Sequence, residues 1–184
     1  MKILLISTSV VELQRLKYGG IEKLLLDFAE GLQEAGHVVT VAAPVGSVVP
    51  KGVELIDTVK LPEEQDRDDI TQKIVLDRVL NLKTLDFDVA HDFSHKHILK
   101  TEFYNAIHMF WHPFIYKYDQ SRYNAICLSK WQADRHLRRT GQFASVCDPI
   151  CADPAEFFFD KSVETTQRWF SLAIFDANKG QKEA

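Results

Sequence analysis

The spacing of apolar and polar positions changes period twice within the first forty-odd residues. Lys2-Ile3-Leu4-Leu5-Ile6-Ser7 is a short apolar run, the pattern of a buried parallel strand. From Ile21 the period becomes helical. Ile21, Leu24, Leu25, Phe28, Ala29 and Leu32 fall at offsets 0, 3, 4, 7, 8 and 11 and predict one apolar stripe, with Lys23, Glu30 and Glu34 on the polar side. Gly36 supplies a stop, and Val38-Val39-Thr40-Val41-Ala42-Ala43 is a β-branched run closed by Pro44. A strand, a helix of about four turns and a second strand make a βαβ unit with a parallel sheet and a right-handed crossover.

The alternation continues downstream. Val53-Glu54-Leu55-Ile56 reads as a third strand, and residues 69–85 return to a helical pattern without glycine or proline. Asp88-Val89-Ala90-His91 and Asn124-Ala125-Ile126-Cys127-Leu128-Ser129 are further strand candidates, and Asn105-Ala106-Ile107-His108-Met109-Phe110-Trp111-His112-Pro113 between them is another apolar run that ends polar and is closed by proline. Ser129 is placed to cap a helix over 130–139 that ends at Gly141, and 143–146 is a last short run. Lys130 and Trp131 are expected to cap and pack that helix. The fold class predicted is α/β, a Rossmann-like doubly wound parallel sheet. In such sheets ligands bind outside the carboxyl ends of the strands, where strand order reverses. Three polar clusters follow strands here and should converge on one edge: the Gly19-Gly20 loop, the segment from His91 to His97, and His112.

The Gly19-Gly20 loop lies between the first strand and the first helix. Glycine lets backbone approach a phosphate, and the free N–H groups of a first helical turn point at it. Loop 8–17 is too long for a dinucleotide fingerprint, and no Gly-Lys-Ser/Thr of a P-loop is present. Two readings stay open: an anion site, or glycines that only allow a tight helix start.

Composition narrows the function classes. The chain has 184 residues, 46% hydrophobic and 26% charged, as in an ordinary globular domain. A formal charge of −4 and an isoelectric point near 6.0 argue against a nucleic-acid partner. Cys127, Cys147 and Cys151 form no C-x-x-C, and their odd number fits a reducing compartment, so the expectation is cytoplasmic. The apolar start is too short for a signal peptide, and no run approaches a membrane span. Peripheral membrane contact is left open, with no motif in its support.

Taken together, Tyr18-Gly19-Gly20-Ile21-Glu22 and Leu32-x-x-x-Gly36-His37-x-Val39 resemble the amino-terminal half of retaining glycosyltransferases of the two-domain GT-B type, group 1 or family 4. Asp88-Val89-Ala90-His91 and Ile126-Cys127-Leu128-Ser129-Lys130-Trp131-Gln132 match that family's next landmarks, and Asp153-Pro154-Ala155-Glu156-Phe157 its closing segment. The resemblance implies a glycosyltransferase amino-terminal domain over 1–165 and the start of a second domain over 166–184, which then stops. The chain would be half an enzyme, as an excised piece, a truncation or a split gene, and inactive alone.

The resemblance further implies a nucleotide-sugar donor as substrate, an acceptor sugar or small molecule on this side of the cleft, and no required cofactor or metal. Gly19 and Gly20 would lie beside the donor diphosphate. Lys179 matches one member of the family's basic pair, whereas Ile174 stands at the usual arginine. His91 matches the first histidine of the family's pair and Phe93 falls at the second; His95 takes that place if the loop differs by a residue or two. His91 and His95 are the catalytic candidates. Glu22 matches a common family position, read as a first-turn carboxylate favoured by the helix dipole.

Other readings are blander or compete. His91, Asp92, His95 and His97 could hold a metal, with His91 and His95 sharing a face if helical, and would then serve a hydrolase. Trp111, Phe114, Tyr116 and Tyr118 either stack on a ring or pack. His112 either lines the cleft or ends a strand. The cysteines read as small buried hydrophobes. The alternative to an enzyme is a non-catalytic ligand- or partner-binding module derived from the same fold.

Overall fold

The computed structural model describes residues 1–15, 19–61, 77–78, 87–94, 99, 106–110, 124–147 and 162. All but Ser162 belong to the first of two units, Met1–Pro149; the second is Ile150–Ala184. Seven strands form one parallel sheet: β1 (Lys2–Ile6), β2 (Val38–Ala43), β3 (Glu54–Asp57), β4 (Val89–Asp92), β5 (Ala106–Phe110), β6 (Asn124–Cys127) and β7 (Ser145–Val146). Their order is β3-β2-β1-β4-β5-β6-β7. Helix α1 (Gly20–Glu34) links β1 to β2, and α2 (Lys130–Thr140) links β6 to β7. Asp77 and Arg78 are helical; the rest of the helix expected over 69–85 lies outside the described residues.

β1 is central. The chain moves outward through β2 and β3, then returns to place β4 on the other side of β1. Strand order therefore reverses between β1 and β4, the position at which doubly wound sheets place their ligand crevice. Register aligns Leu5 with Val41 on one side and His91 on the other, and Ile6 with Ala42 and Asp92.

Alternation along β1 divides the core. Ile3 and Leu5 pack with Leu25, Leu26 and Ala29 of α1, whereas Leu4 and Ile6 pack on the opposite face with Val59, Ala90 and Leu99. Fully burying each leucine is worth roughly 1.5–3 kcal/mol. Helix α1 ends as its sequence predicts: Gly36 has φ +85°, its N–H donates to Gln33 O at 3.0 Å, and His37 N–H donates to Leu32 O at 3.1 Å. This is a Schellman ending, and it needs the left-handed residue glycine supplies. Helix α2 starts on the Ser129 hydroxyl, which accepts from Gln132 N–H at 3.2 Å, and ends on left-handed Gly141.

The buried face of α1 differs from the predicted stripe. Glu22, Leu25, Leu26 and Ala29 are buried, while Phe28 is 40% exposed. The cause is an added layer beside the helix. Leu13 in the β1–α1 loop is fully buried; its N–H donates to Ser47 Oγ at 2.9 Å, and its carbonyl accepts from Val48 N–H at 2.8 Å. Arg15 binds Asp27 (2.9 Å) and Glu30 on α1. This loop and the β2–β3 crossover border an open groove of about 320 Å³ lined by Leu26, Val48, Val49 and Pro50. Among the described residues no helix is long and apolar enough to cross a membrane.

Candidate functional site at the β1–β4 crevice

The carboxyl end of β1 leads directly to the start of α1. Ser7 N–H still bonds Ala42 O at 2.9 Å, and Ser7 extends the Ile3 and Leu5 face that α1 covers. Ser7 is 4% exposed, and its hydroxyl has no hydrogen-bond partner among the described residues. Next to it the Thr8 hydroxyl donates to Glu22 Oε1, with both side chains buried. Glu22 is therefore more than a carboxylate near a helix dipole: it ties the third helical residue to the end of β1.

Gly19 and Gly20 have different structural reasons. Gly19 adopts φ +146°, and a Cβ there would overlap Glu22 Oε2 and stand 3.0 Å from Glu22 Cδ. Both conformation and contact demand glycine, so Gly19 answers to the tight helix start. Gly20 is exposed, and among the described residues nothing lies within 4 Å of a Cβ built on it. The first intrahelical bond runs from Lys23 N–H to Gly19 O at 3.0 Å, and among the described residues no side chain caps α1. The amides ahead of Lys23 thus carry the positive end of the helix dipole. The Glu22 carboxylate lies against Gly19, on which a Cβ would meet it, and not against Gly20.

His91 lies on β4, opposite Leu5, and is 4% exposed. Its ring centroid is 4.3 Å from that of Phe93 and 5.4 Å from that of Phe28, the latter edge-on at 88°. Phe28 and Phe93 are 6.0 Å apart, completing an aromatic cluster between α1 and the end of β4. Phe28 leaves the predicted stripe to make these contacts. The helical premise for a His91–His95 pair does not apply to His91, which is in a strand. Asp92 points to the opposite face by strand alternation and accepts from Ser94 N–H at 2.8 Å and Leu99 N–H at 3.1 Å. Among the described residues no group of three potential ligands could hold a metal.

β1, β4 and β5 are neighbours, so the three segments that follow them leave from adjacent strand ends. His95, His97, His112, Lys179 and Ile174 lie outside the described residues, as do Trp111, Phe114, Tyr116, Tyr118 and Cys151. Cys127 is fully buried, and burial pushes its thiol up to about 11, unsuited to a nucleophile. Sequence reasoning missed Ser7, Thr8 and Phe28 as parts of this crevice. A glutamate three residues after the helix-start glycine was the available signal, since that spacing lets a side chain fold back over the first turn.

No protein-family model and no curated protein sequence matches the chain. Among solved structures it is similar to the crystal structure of AviGT4, a glycosyltransferase involved in avilamycin A biosynthesis, with 21% identity and a TM-score of 0.50. The likeness covers 84% of this chain and 43% of that one, so the chain spans less than half the length of the other. At that identity the likeness shows the fold: a Rossmann-like parallel α/β sheet shared with part of a glycosyltransferase structure.

Proposed function

We propose that this chain is the acceptor-side domain of a two-domain GT-B glycosyltransferase that moves a sugar from a nucleotide-sugar donor to a sugar or small-molecule acceptor with retention of configuration. The observation that carries this reading is the fold shared with a glycosyltransferase structure, with an uncapped α1 N-terminus at the β1–β4 reversal. In the proposed reaction the bond from the anomeric carbon to the diphosphate oxygen breaks and the electron pair leaves with the diphosphate. The acceptor hydroxyl oxygen bonds the anomeric carbon on the same face, and its proton passes to the departing phosphate. The amides at Gly20 and Ile21 stabilise the charge that grows on the diphosphate, a preorganised electrostatic contribution.

Within this proposal Lys179 adds a cation from the second domain. His91, packed between two phenylalanine rings, supports the crevice floor, and the sugar-facing role falls to His95. A non-catalytic module is the second reading. It is favoured by Phe93, which stands at the second position of the family's histidine pair and is buried against His91.

The test supplies the chain with the carboxy-terminal domain of a GT-B enzyme and measures nucleoside diphosphate release from a panel of UDP-, GDP- and TDP-hexoses. The expected result is release only when both halves are present, weakened by Gly20→Val. Nucleotide binding without release from any donor supports the module. Release by the chain alone contradicts the division of labour proposed here.

A further inference from the structure

Helix α2 carries a surface feature that the crevice does not use. It holds Lys130, Arg135, Arg138 and Arg139 against a single acid, Asp134, within a chain of formal net charge −4. Gln132, Ala133 and His136 face inward. Trp131, Arg135 and Arg138 fall at i, i+4 and i+7 and share the outer face. Trp131 was expected to pack; instead it is 56% exposed, with the Arg135 guanidinium 5.2 Å from its ring centroid. Lys130 lies on the same side at the start of the helix, 3.2 Å from Asp134. Two residues beyond Gly141, Phe143 is 85% exposed.

We infer that the outer face of α2 docks on an anionic lipid surface, with Trp131 at headgroup depth and Arg135, Arg138 and Arg139 against the lipid phosphates. Charge complementarity selects an anionic partner. The aromatics select the kind: tryptophan favours the boundary between headgroups and acyl chains, and a basic cluster on an amphipathic helix is the electrostatic footprint of acidic lipid binding. A nucleic-acid duplex, whose bases are stacked on one another, would draw on the same cations but leave Trp131 and Phe143 wet. The inference stands independently of the glycosyltransferase proposal, since it uses no residue of the crevice.

The experiment is cosedimentation of the full chain with vesicles of phosphatidylcholine alone and of equal parts phosphatidylcholine and phosphatidylglycerol. Binding is expected only to the anionic vesicles, falling as salt is raised. Each basic side chain contributes about fivefold in partitioning, so Arg138→Glu with Arg139→Glu should weaken binding by at least about tenfold. Trp131→Ser should weaken it as well. These positions are exposed, and unchanged far-UV circular dichroism and unfolding midpoint would show that the variants fold. If the double reversal fails to fold, Arg138→Gln with Arg139→Gln replaces it. Equal binding to neutral vesicles, undiminished binding of the folded variants, or binding to duplex DNA with none to vesicles would each overturn the inference.

Discussion

Glu22 lies folded against Gly19, its carboxylate filling the space that a Cβ on Gly19 would need. The same carboxylate accepts the Thr8 hydroxyl, joining the end of β1 to the first turn of α1. One buried acid thereby explains why the first glycine is required and leaves the second to the solvent side.

The two glycines should separate in a stability measurement. Gly19→Ala forces a side chain into φ +146° and onto Glu22, so it should destabilise by about 1–3 kcal/mol, read as a lower urea midpoint. Gly20→Ala meets open space and should leave stability unchanged or raise it by up to about 1 kcal/mol. Equal losses at both positions would refute the assignment.

Thr8→Val deletes the hydroxyl that Glu22 accepts and leaves a buried carboxylate oxygen without it, an expected loss of about 1–3 kcal/mol. Adding Glu22→Leu should recover much of that loss, because removing both polar partners avoids the orphan. A double-mutant cycle in urea unfolding measures the coupling, and strict additivity would argue against a shared interaction.

His136 is almost wholly buried on α2, and burial lowers its pKa from 6.5. Its folded-state value lies below the unfolded one, so in the interval between them the unfolded chain binds more protons. The stability tied to neutral His136 is therefore complete above about pH 6.5 and is lost as pH falls through that interval. Unfolding midpoints taken between about pH 7.5 and about pH 5.5 should decline in the wild type. His136→Leu should flatten that decline.

Cys127 should resist alkylation while the protein is folded, since it is fully buried and its thiol is pushed up to about 11. Cys147, which is partly exposed, should react before Cys127. Site-resolved mass spectrometry after brief iodoacetamide treatment near neutral pH checks the order, and denaturant should abolish the difference.

The local elements were legible in the sequence because their causes are local. An apolar run made β1, a β-branched run made β2, Gly36 ended α1 in a Schellman motif, and Ser129 capped α2. β3 was read one residue early, a boundary set by hydrogen bonding to β2 rather than by side-chain pattern. The placement of Phe28 was misread because periodicity describes a helix alone. Which side is covered depended on Leu13, Arg15 and the β2–β3 crossover, which wall in Leu26 and leave Phe28 to reach His91 and Phe93.

The sequence by itself determined the βαβ beginning, the run of parallel strands and the placing of glycines before α1, since turns, caps and hydrophobic periods act over a few residues. Only the tertiary structure decided that β4 returns beside β1, that Glu22 meets Thr8 across fourteen positions, and that Gly19 serves the fold while Gly20 faces open space. Parallel strands pair residues far apart in the chain, and the contacts that shape the crevice exist only after that pairing has brought the strand ends together.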